Sequence, residues 1–178
     1  MIRKELKEIY NVMCRANDRI IEAGESPVGT AFLIKKGKDW SDLKTVVMAM
    51  IFQNRDEKYA MKMLLKQIII KTKVDAYMVF FDTKMTEIDQ KTQEKKVHDA
   101  IIRILYTPEE KIFKIIKYKE NKILEVMDLT DKYDSCSDTW DVWREPEEEI
   151  SDEVHEEYQK FKKEHPEFYE GTEGSDES

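Results

Sequence analysis

The run Thr45-Val46-Val47-Met48-Ala49-Met50-Ile51-Phe52 decides the fold. It is apolar on both faces, the pattern of a central strand covered on both sides or of a strand shielded by helices. Its Met and Ala residues favour a competing helix, but the strand is the reading adopted. Val28 to Lys36, carrying Ala31, Phe32, Leu33 and Ile34, then reads as the preceding strand, with Lys36-Gly37-Lys38-Asp39 as the turn between them.

Working outward, the chain opens on an amphipathic helix. Ile2, Leu6, Ile9, Tyr10, Met13, Ala16, Ile20 and Ile21 recur at spacings of three and four. Gly24 is placed to end this helix in a left-handed conformation, and Ser26-Pro27 forbids its continuation. On the other side, Asn54 starts a second helix with Glu57 three residues on, a capping-box arrangement. Ala60, Met61, Leu64, Leu65, Ile68 and Ile69 form its apolar stripe, and Lys66, Lys71 and Lys73 lie near its C-terminal end, where cations suit the dipole.

Val74 to Asp82 is the most hydrophobic strand candidate, with Tyr77, Val79 and Phe81 opposite Ala76, Met78 and Phe80. Thr83 to Lys96 is polar, with only Met85 and Ile88 apolar, and reads as a long mobile loop or a poorly anchored short helix. A meander follows over Val97–Tyr106, Lys111–Tyr118 and Ile123–Leu129, with turns at Thr107-Pro108-Glu109-Glu110 and Lys119-Glu120-Asn121-Lys122. The expected order is helix, two strands, helix, three strands, helix. That is an α+β fold with a mostly antiparallel sheet of about five strands and helices packed against it. In element order it is similar to the roadblock and longin domains, a resemblance that implies a scaffold for protein–protein contacts.

Charge divides the chain more sharply than any motif. From residue 145 onward fourteen carboxylates face three lysines, a net charge of −11; Met1–Arg144 stands at +3, and the whole chain at −8. The expected organisation is therefore a globular α+β domain over 1–130, an acidic, Trp-containing connector and amphipathic helix over 131–165, and a disordered acidic tail over 166–178. The helix starts at Glu145-Pro146, buries Ile150, Val154, Tyr158 and Phe161, and stops at His165-Pro166. No stretch approaches the roughly 18 apolar residues that cross a bilayer, and the N-terminus lacks the apolar segment of a secretory signal. A cytoplasmic protein without membrane attachment is the expectation. Cys14 and Cys136 are too few and too far apart for a disulfide framework.

Several chemistries are weighed on the residues. Five glycines, none clustered in the body, disfavour phosphate-cradling loops. His98, His155 and His165 lack ligand spacing, and the aspartates from Asp128 to Asp141 lack the glycine and alternate oxygens of a calcium loop, so no metal and no cofactor are expected. A metal-dependent nuclease would use Asp82, Glu94 and Lys96; Asp99 with Glu109-Glu110-Lys111 is a second match of the same kind. Nucleic-acid binding would use Lys91, Lys95, Lys96, Lys111, Lys114, Lys117, Lys119 and Lys122, with Tyr106, Phe113 and Tyr118 as stacking faces.

The favoured reading is a non-enzymatic protein-interaction or adaptor module. Its partner-binding residues are expected in the acidic, aromatic C-terminal segment: Trp140, Trp143, Tyr158, Phe161, Phe168 and Tyr169, side chains of the type enriched at interface hot spots. A protein partner is expected ahead of nucleic acid, and a homo-oligomer is compatible with the sequence. The alternative burial of these aromatics, against their own domain, leaves the same sequence pattern.

Overall fold

A computed structural model of the chain describes residues 1–130, Trp143 and residues 149–169. Within them the order is α1 (Lys4–Glu22), β1 (Thr30–Lys36), β2 (Leu43–Ala49), α2 (Arg55–Thr72), β3 (Ala76–Ile88), β4 (Lys95–Tyr106), β5 (Lys111–Lys119), β6 (Lys122–Asp128) and α3 (Asp152–Glu164), followed by a 3-10 turn over Pro166–Tyr169. The α+β expectation holds, with six antiparallel strands in the order β2-β1-β3-β4-β5-β6. The count exceeds about five because Val74 to Asp82, already read as a strand, stands as β3 beside the three-strand meander: it pairs with β4 along twelve residues and receives β1 on its other side. Because β1 is antiparallel to both β2 and β3, the α2 connection must cross over β1.

Alternation along the central strands gives the sheet two apolar faces. Ile34, Ala76, Met78, Phe80 and Leu105 meet Ile2, Leu6 and Tyr10 of the α1 segment. On the opposite face, Ala31, Leu33, Tyr77, Val79, Ile104 and Tyr106 meet Leu65, Ile68 and Ile69 of α2 and the aromatics of α3. The layers are thus α1, sheet, and α2 with α3. Gly24 adopts the expected left-handed conformation at φ 76°, and the Gly24 N–H donates to Ile21 O at 2.9 Å. At the other helix start, Asn54 Oδ1 accepts from Glu57 N at 2.9 Å, while Glu57 Oε2 reaches back to Gln53 N at 2.6 Å.

One charged group sits inside the α1 layer. Arg103 on β4 is buried; its Nε donates to Asn17 Oδ1 at 2.9 Å and its Nη2 to Asp18 Oδ1 at 2.5 Å. Tyr10 Oη donates to the Arg103 carbonyl at 3.0 Å. These bonds fix where α1 lies along the sheet, since a slide of one turn would strand a buried guanidinium.

Three expectations need correction. Thr83–Lys96 is neither loop nor helix: β3 and β4 continue as a hairpin that narrows to a turn at residues 89–94. Both faces of its far end meet water, so apolar alternation is absent there, and ion pairs replace it. Lys84 pairs with Asp99, and Glu87 accepts from Lys117 at 2.7 Å and lies 3.2 Å from His98. Asp89 Oδ1 closes the turn by accepting from Lys91 N and Thr92 N. Second, α3 starts at Asp152, where the Ser151 hydroxyl caps it by accepting from Val154 N at 3.3 Å, and Ile150 precedes the helix; the expected start at Glu145-Pro146 lies outside the described residues. Third, Pro166–Tyr169 is ordered, with Phe168 and Tyr169 buried and the Phe168 carbonyl accepting from Lys35 Nζ at 2.7 Å.

Truncating Phe168 to Ala should cost about 3–5 kcal/mol in urea unfolding; a change near zero would mean the C-terminal helix does not close this core. Acid stability should also carry a signature of Glu87. Its hydrogen bond from Lys117 holds the carboxyl below its ordinary value of 4.5, so the stabilisation is complete above that pH and falls away as pH drops through the folded value. The melting temperature of Glu87→Gln should therefore approach that of the parent between neutral pH and pH 3, and a constant gap would contradict this.

Candidate interaction surface

The run that reads as a central strand lies at the sheet edge. β2 pairs only with β1, with Phe32 opposite Val47 and Thr30 opposite Ala49. On the α2 side Val46 and Met50 are buried in the core, so half of the reading is met. The other face is open: Thr45 and Ala49 are exposed, Val47 is 60% exposed, and beyond the strand Val28 and Ile51 are 58% and 69% exposed. α1 lies over β1, β3 and β4, reaches β5 and β6 through Ile21, and leaves this strip bare. The expectation of a strand covered on both sides is thus corrected to one covered on a single side.

The free backbone of this edge follows from the register. Met50 N donates to Gly29 O at 2.7 Å, so Met50 points its N–H towards the β1 side. Antiparallel alternation then turns the N–H and C=O groups of Leu43, Thr45, Val47 and Ala49 outward. From Thr45 to Ala49 the edge has no charge, no proline and no bulge. The opposite edge carries the usual protections: β6 holds Lys122, Glu125 and Asp128, and its ladder is irregular at Lys117/Tyr118. At the Ile51 end, a groove of about 220 Å³ between α2 and α3 is lined by Ile51, Met61, Leu64, Glu57, Glu153 and Glu157.

The aromatics expected to bind a partner face inward. Tyr158, Phe161, Phe168 and Tyr169 are buried among Leu65, Ile69 and the sheet residues. Tyr158 and Tyr169 rings meet edge-on at 6.4 Å. Trp143 is partly buried, its ring 4.9 Å from that of Tyr77. Trp140 lies outside the described residues.

The nuclease residues do not converge. Asp82 sits opposite Ile101 and Lys96 opposite Glu87, five residues apart along the ladder, or about 17 Å at the rise of a strand. Alternation also puts them on opposite faces, and Glu94 lies in the turn between β3 and β4. Asp82 accepts from Tyr118 Oη at 2.9 Å, and burial together with that carboxylate pushes the tyrosine's pKa up, keeping it a donor. Asp99 and Lys111 lie towards opposite ends of the β4–β5 ladder. Among the described residues, no group of three His, Cys, Asp or Glu side chains could hold a metal ion.

The lysines do not form one stripe. Lys114 and Lys117 fall on opposite faces of β5, and Lys117 is paired with Glu87 and Glu125. Tyr106, expected as a stacking face, is buried and stacked on Tyr77 at 4.7 Å. Lys114, Lys7 and Lys111 line a cleft of about 600 Å³ beside α1, yet its walls also carry Asp128 and Glu110. Asp128 is held ionised mainly by the Thr130 hydroxyl and amide.

No family model matches this chain, and no curated protein or solved structure does either. Among the described residues no helix is long and apolar enough to cross a membrane.

Replacing exposed Val47 by Lys should leave the urea midpoint nearly unchanged, within about 0.5 kcal/mol. Val46→Lys, one residue along and buried, should unfold the chain. Equal effects would mean that Val47 is not free on the surface.

Proposed function

We propose that this chain is a protein-interaction module that takes a partner onto its β2 edge. One observation carries the reading: a strand with the sequence of a sheet interior occupies a sheet margin. Outward N–H and C=O groups at Thr45, Val47 and Ala49 supply main-chain hydrogen bonds, and the adjoining apolar side chains supply area, the combination used in strand addition. The favoured contact thereby moves from Tyr158, Phe161, Phe168 and Tyr169, which are occupied by their own core, to the neighbouring open edge of β2. The acidic segment enters as a charged rim, since Glu153 and Glu157 of α3 stand beside Ile51. A binding role is also supported by the separation of Asp82 from Lys96, which leaves the nuclease reading without an assembled site.

Immobilised parent and Val47→Lys chains, incubated with lysate of the cells that make the protein, should differ. Proteins retained by the parent and lost on the variant would identify edge-bound partners. Identical captured sets would remove β2 from the function.

A further inference from the structure

We infer that the β2 edge is filled by a second copy of the same chain, paired antiparallel to the first about Val47. This deepens the proposed function and rests on it. The register of such a pair is dictated by the outward residues. Val47 meets its counterpart in the second copy and Thr45 meets Ala49, both on the face that α1 leaves bare, while partly buried Leu43 comes opposite Ile51 beyond the strand end. Each of these cross-strand pairs joins apolar or β-branched side chains, and none opposes like charges. Exposed Ile51 and Val47 both gain apolar neighbours.

Charge selects this partner over an arbitrary strand. Lys44 stands at one end of β2 on the α2 side, its Nζ 3.4 Å from the Glu167 carbonyl of its own chain, and at the other end the groove around Ile51 carries Glu57, Glu153 and Glu157. Antiparallel pairing about Val47 sets Lys44 opposite Met50 of the second copy, next to that copy's three carboxylates. The two-fold axis repeats the contact, so each copy supplies both the cation and the acidic groove. The other edge fails the same test. Leu129 N donates to Phe113 O, so β6 turns Val126 and Asp128 outward, and pairing it with itself about Val126 would set Asp128 against Leu124, across a strand already broken by a register shift.

Sedimentation equilibrium of the full chain across micromolar concentrations tests this. The parent should show a monomer–dimer equilibrium. Val47→Lys, which places two ammonium groups directly opposite each other, should raise the dimer Kd by at least about tenfold, while Val126→Lys on β6 should not change it. Lys44→Glu should weaken the dimer, and adding Glu157→Lys to the same chain should restore it. A parent that stays monomeric, or a dimer indifferent to Val47→Lys, overturns the inference. A monomer that still captures another protein through Val47 would overturn the second copy alone. A monomer with no Val47-dependent capture would overturn the docking edge as well.

Discussion

One helix cannot cover this sheet. Six strands span about 24 Å across their hydrogen bonds, whereas a helix with its side chains is about 10–12 Å wide. On the α2 side the problem is solved with two helices and a terminal turn, whose aromatics Tyr158, Phe161, Phe168 and Tyr169 extend the cover from α2. On the other side α1 works alone. It is seated over β1, β3 and β4, its C-terminal Ile21 reaches Ile116 of β5 and Ile123 of β6, and the β2 margin on that face remains bare. The two margins differ in kind: β6 is interrupted and carries Lys122, Glu125 and Asp128, whereas β2 is uninterrupted and carries Lys44 alone, on the α2 side.

The position of α1 is itself constrained by polar chemistry. Arg103 is out of water, and only Asn17 and Asp18 in this helix bring it acceptors. Cys14 and Tyr10 lie within the same layer, and burial pushes both pKa values up, so both side chains stay neutral beside the guanidinium. A helix pinned in this way cannot drift outward to shelter Val47. The open strip is therefore a consequence of where Arg103 lies.

Much of the architecture was legible because its signals are local. The α1 stripe, the Gly24 stop, the Asn54 cap and the strands of the meander all follow from spacing within a few residues. Pairing between distant segments was not legible. Nothing in Thr45–Phe52 says that β1, and not β2, lies inside the sheet, because an interior strand and an edge strand awaiting a neighbour have the same composition. The extended hairpin was hidden for the opposite reason: its far end is wet on both faces and displays no alternation. The C-terminal aromatics gave a true signal of burial without indicating which surface buries them, and Phe168 beyond His165-Pro166 lay past the point where helical periodicity could be followed.

The long-range pairing of β1 with β3 also imposes an order of events on the ribosome. The β1–β2 hairpin is synthesised first, but its permanent neighbour arrives only with Met78 and Phe80, some thirty residues after Ala49. At about 5–20 residues per second that interval lasts roughly 2–6 s. Throughout it, both margins of a two-stranded ribbon whose charges, Lys35, Lys36 and Lys44, gather at its turn end are open to nascent chains on neighbouring ribosomes. Translation speed across α2 thus becomes a determinant of yield for this protein, independent of the stability of the finished fold.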